Sequence, residues 1–104
     1  MPTYNKLVRD GIPAIIAQTG KEYKTSKVAG NALRTELKRK LLEETEEFLQ
    51  SQDDLAELAD VLEVMDALLV ELGLDWEALR QIQAEKRHQR GGFKHGVFLE
   101  WVED

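Results

Sequence analysis

Glu43, Glu44, Glu46 and Glu47 crowd one short stretch of this chain, and Glu57 and Asp60 follow soon after. Carboxylates spaced i, i+3 share one side of a helix, so two such pairs on facing helices can surround a hard divalent cation. Donors that are all oxygen favour Mg²⁺, or Mn²⁺, over Zn²⁺. The remaining composition agrees. The chain has no cysteine and only two histidines, His88 and His95. That excludes a disulfide framework, a thiolate zinc site and cysteine nucleophile chemistry, and a His-rich metal site lacks material.

Helical periodicity separates the inward carboxylates from the outward ones. At roughly 100° per residue, and measured from Leu33, the apolar residues Leu37, Leu41 and Phe48 fall at about 40°, 80° and 60°. Glu44 falls at about 20°, inside this stripe, with Glu47 on its edge and Glu46 on the far side. In the next helix Leu58, Val61, Leu62, Met65, Leu69 and Leu72 define the expected core arc. Glu57 lies between Val64 and Leu68 in angle, and Asp60 borders the same edge. Glu63 points away, so Glu63/Asp66 is the poorer of the two Glu-x-x-Asp pairs. Clustered buried carboxylates are costly unless they protonate or share a cation. The competing reading is a pair of solvated acidic faces, with Glu57 as the third residue of a helix capped by Asp54.

Two sets of basic residues could meet a phosphate. Lys86 and Arg90 share a helix face at i, i+4, just before Gly91-Gly92-Phe93-Lys94. Their ordinary role would be to complement a helix C-terminus that glycine stops. Lys6, Arg9 and Asp10 read as surface charges, a cap, or a lid over a site.

The elements that position these groups are helices. Asp10 is expected to cap a short one over Ile12 to Thr19, with Pro13 in its first turn and Gly20 at its end. Lys21 to Lys27 reads as a loop or short strand. Long helices are predicted from about Asn31 to Gln50 and from about Leu55 to Leu72, joined by a tight acidic turn and ended by Gly73. Asp75 caps a third, Trp76 to about Gln89. Val97 to Val102 is a short apolar tail, expected as a strand or a docked extension. These patterns predict one all-α domain over 1–104, an antiparallel helical bundle with short extended terminal segments. Its second long helix carries apolar character, extended by Ala59, Ala67 and Val70, beyond what one chain can cover, so completion by a homodimer or higher homo-oligomer is expected.

A net charge of −6 argues against a nucleic-acid polymer as partner, since that partner requires a positive field. No apolar run approaches a membrane span and no signal-like start is present, so the expectation is a cytoplasmic protein without membrane association.

With these residues in place, the sequence resembles the all-α, MazG-like nucleoside triphosphate pyrophosphohydrolases, in the small branch opening with Lys-Leu-Val-Arg-Asp-x-Ile-Pro. That motif is here Lys6-Leu7-Val8-Arg9-Asp10-Gly11-Ile12-Pro13. The metal motif Glu-Glu-x-x-Glu is Glu43-Glu44-Thr45-Glu46-Glu47, and its Glu-x-x-Asp partner is Glu57-Leu58-Ala59-Asp60. The Lys-Arg-x-x-Arg-Gly-Gly-Phe pattern spans Lys86 to Phe93, followed by Gly96-Val97-Phe98-Leu99-Glu100. All four blocks occur in order along nearly the whole chain. Gly11 departs from the family pattern, where a Lys or another long polar residue is usual.

The resemblance implies the all-alpha NTP pyrophosphatase fold, built across chains. It implies Mg²⁺ on Glu44, Glu47, Glu57 and Asp60, and phosphate contacts from Lys86 and Arg90, with Lys6 and Arg9 available to the same site or a neighbour's. The expected reaction is hydrolysis of a nucleoside triphosphate, or related nucleotide, to a monophosphate and pyrophosphate. One of the Glu43 to Glu47 cluster would orient or deprotonate the water, Glu44 and Glu47 being the catalytic candidates. Removal of non-standard or excess nucleotides is the implied role. The rival readings are a phosphoribosyl-ATP pyrophosphohydrolase of histidine biosynthesis, against which the Lys6 to Pro13 block argues, and a non-catalytic helical dimerisation or regulatory module.

Overall fold

The computed structural model describes residues 2–104. Among them it forms four helices and no strand: α1 Ile12–Gln18, α2 Gly30–Gln50, α3 Leu55–Glu71 and α4 Trp76–Arg90. No helix among the described residues is long and apolar enough to cross a membrane. The chain divides into two compact units, one up to Gly73 and the other Leu74–Asp104.

In the first unit, α2 and α3 fold back on each other as a helical hairpin and make its principal interface. Their connection is stopped and restarted by specific bonds. The Ser51 amide donates to the Glu47 and Phe48 carbonyls as α2 ends. Asp53 then adopts φ 57°, a left-handed conformation that aspartate tolerates. The Asp54 side chain accepts from the Ala56 amide and satisfies a donor that the start of α3 would otherwise leave open. Gly73, at φ 70°, closes the far end.

The interface buries Leu37, Val64 and Leu69 among the apolar residues, and Glu44 among the charged ones. This corrects part of the expected arc of α3. Leu58, Leu62 and Leu72 are each about half exposed, at 45%, 50% and 51%. α3 is apolar around more of its circumference than α2 alone covers. The uncovered side forms an apolar groove lined by Leu55, Leu58, Ala59, Val61, Leu62 and Met65.

Other boundaries also shift. α1 is capped by Gly11 with no side-chain bond, not by Asp10. The reason is local: the Ile12 amide donates to the Arg9 carbonyl, closing a turn with Asp10 inside it. Lys21 to Lys27 is loop, with no strand.

In the second unit, α4 starts where the Asp75 side chain accepts from the Ala78 amide. The helix runs through Arg90 before Gly91, at φ 82°, breaks it. The Arg80 guanidinium lies over the Trp76 ring, 5.7 Å from its centroid. Val97 to Val102 forms no strand, and each of its residues is exposed.

Candidate metal centre

The α2–α3 hairpin brings together three of the carboxylates singled out by periodicity. One ligand oxygen from each of Glu44, Glu57 and Asp60 lies within 4.8 Å of the others. Glu44 is 8% exposed, while Glu57 and Asp60 are half-buried at the edge of the interface. The helical phase explains this. Glu44 belongs to the stripe of α2 that packs on α3, and the i, i+3 spacing of Glu57 and Asp60 stacks both over one side of α3.

Glu44 is the unusual member. Its Oε2 is buried with no hydrogen-bond partner. Burial pushes its carboxyl above the usual range, and the neighbouring Glu47 carboxyl adds to the rise, while Lys40 opposes it. A buried, unsatisfied carboxylate oxygen is destabilising on its own. Two further carboxylates within a few ångströms compound the strain unless a cation intervenes. The donor set is oxygen alone, so the residues present fit a hard divalent ion such as Mg²⁺ or Mn²⁺.

Protein cations surround the acidic cluster. Lys40 Nζ lies 3.4 Å from both Glu43 Oε2 and Glu44 Oε1. Lys6 Nζ meets Glu43 Oε1 at 3.1 Å, and the Arg9 guanidinium donates to Asp60 Oδ1 at 2.6 Å. The hydrogen bond from Lys6 holds the Glu43 carboxyl below the usual range, and Glu43 raises Lys6 in return. Lys40 was not singled out from the sequence, although its spacing to Glu44 carries the signal.

Glu47 lies outside the triad, exposed, one turn beyond Glu44. Glu46 and Glu63 are exposed, as their helical phase predicts. Lys86 and Arg90 are exposed along α4 in the second unit. Comparison with known proteins gives no match among family models, curated proteins or solved structures.

Proposed function

We propose that this chain is a Mg²⁺-dependent nucleotide pyrophosphohydrolase, cleaving a nucleoside triphosphate or related nucleotide to a monophosphate and pyrophosphate. The observation that carries this reading is the grouping of ligand oxygens from Glu44, Glu57 and Asp60 within 4.8 Å of one another, together with a buried Glu44 oxygen that has no hydrogen-bond partner. The MazG-like resemblance supplies the reaction class. It agrees with the geometry in three of its four ligand positions.

Glu44, Glu57 and Asp60 hold the cation, with Glu47 completing the set or taking a proton from the attacking water. The bound ion supplies neutralisation of phosphate oxygens and activation of water. The resemblance assigns the charge-assisted donors to the polyphosphate to Lys86 and Arg90. Exposed Glu47 retains access to solvent, as a group exchanging protons with water requires.

Assembly with a second copy of the chain belongs to the same reading. A core of three buried apolar residues among the described ones is small for a chain of this length, and the groove on α3 adds apolar surface that a copy of the same helix would cover.

The deciding experiment measures pyrophosphate release across a nucleotide panel that includes phosphoribosyl-ATP, with Mg²⁺, Mn²⁺ or a chelator present. Metal-dependent release from nucleoside triphosphates supports the proposal. Release from phosphoribosyl-ATP alone would reassign the substrate, and no release from any would leave a non-catalytic helical module.

A further inference from the structure

The N-terminal segment crosses the acidic edge of the hairpin and touches both helices. Lys6 pairs with Glu43 of α2, and three residues later Arg9 pairs with Asp60 of α3. The two pairs differ in one respect. Glu43 is outside the three-carboxylate cluster, whereas Asp60 is a member of it. Arg9 therefore neutralises one of the groups on which the metal reading rests, and Lys6 does not.

We infer that Arg9 is an exchangeable counter-ion, held by Asp60 while the carboxylate cluster is metal-free and transferred to a phosphate-bearing ligand once a divalent cation is bound. This rests on the metal centre proposed above. The electrostatics set the direction. A divalent cation shared by Glu44, Glu57 and Asp60 brings two positive charges to the carboxylate that the guanidinium now faces. The attraction that holds Arg9 is thereby weakened and a repulsion added. Arg9 is 54% exposed and belongs to a stretch with no helix or strand, so moving off Asp60 costs little packing. The Lys6–Glu43 pair remains as a tether and keeps the released guanidinium close by. Its five donors then face whatever anion joins the ion, and fork geometry suits a phosphate.

Linkage makes the inference testable without any turnover. A contact made only by the metal-free state opposes metal binding, and a contact made only in the loaded state favours the anion. Calorimetric titration of the full-length chain with Mg²⁺, and then with inorganic pyrophosphate at saturating Mg²⁺, reads both. Arg9→Ala is expected to bind Mg²⁺ about five-fold more tightly, in keeping with the upper range for a partly exposed ion pair. The same variant is expected to bind pyrophosphate roughly ten-fold more weakly, the loss of one charge-assisted contact. Arg9→Lys should fall between wild type and Arg9→Ala in both titrations, and Lys6→Ala should leave Mg²⁺ affinity within about twofold of wild type.

Opposite signs in the two titrations support the exchange. Weaker Mg²⁺ binding by Arg9→Ala would mean that Arg9 merely orients Asp60 as a ligand, and would overturn it. Equal tightening by Lys6→Ala would reduce the effect to net charge and overturn it as well. In either case wild-type Mg²⁺ binding would leave the metal centre standing. Failure of the wild-type chain to bind Mg²⁺ or Mn²⁺ would remove both.

Discussion

Lys40 and Glu44 stand one helical turn apart on α2, their charged groups 3.4 Å from each other and their side chains only 15% and 11% exposed. A pair so little hydrated is costly to break from one side only, because the survivor keeps its burial and loses its partner. Lys40→Gln should therefore destabilise the metal-free protein by about 2 kcal/mol, below the range for fully buried pairs. Combining it with Glu44→Gln should recover much of that loss. Denaturant unfolding of the two single variants and the double variant measures the coupling, and additive effects would show that the pair contributes nothing specific.

Glu44→Gln alone separates activity from stability. It should abolish Mg²⁺-dependent hydrolysis while retaining helix content, and at neutral pH it should modestly raise metal-free stability, since it removes a charge that burial and Glu47 disfavour while Lys40 keeps Glu43 as a partner. The pH dependence has a definite sign. Burial raises the folded-state value of Glu44 above its unfolded value near 4.5. Wild type is consequently penalised at neutral pH and is relieved as pH falls through the folded-state value towards 4.5. The stability difference between variant and wild type should vanish below that point. Thermal melts across pH check this, and a gain that persists in acid would show that Glu44 ionisation is not its source.

Glu57 and Glu63 test the facing of α3. Glu57→Gln should cost at least tenfold in activity and in Mg²⁺ affinity, as loss of a charged ligand predicts. Glu63→Gln, in an equally good Glu-x-x-Asp string but exposed, should remain within twofold of wild type. The reverse result would move the metal centre to the other pair.

The oligomer is tested by mass in solution. Light scattering at micromolar concentration should give at least twice the 11.9 kDa chain mass. Leu58→Lys or Leu62→Lys, placed in the apolar groove of α3, should shift the protein towards monomer. A monodisperse and fully active species at 11.9 kDa would exclude assembly.

The helices and the inward carboxylates were legible because periodicity and capping are local. Asp54 and Asp75 cap the predicted helices, and Glu44 is buried where its phase within the leucine stripe put it. Lys40 was legible in principle, at about −20° from Leu33 in the same stripe. The Lys6 and Arg9 contacts were not, since they span 37 and 51 residues and come from a segment without periodicity. Asp10 misled because a cap preference says nothing about a turn closing one residue early. The core arc of α3 was misjudged at Leu58, Leu62 and Leu72 for a different reason: hydrophobicity marks what should be covered, not what covers it.

The same sequence separations have a kinetic consequence. α2 and α3 are joined by the short turn 51–54, so their interface closes a small loop and should form early. Contacts from Lys6 and Arg9 close much longer loops and should form later. During that interval the hairpin must gather Glu44, Glu57 and Asp60 with Lys40, itself on α2, to offset their repulsion. The barrier to zipping the two helices should therefore be electrostatic in part. Added salt or Mg²⁺ should accelerate refolding of the chain more than it slows unfolding, a signature that stopped-flow measurements can resolve.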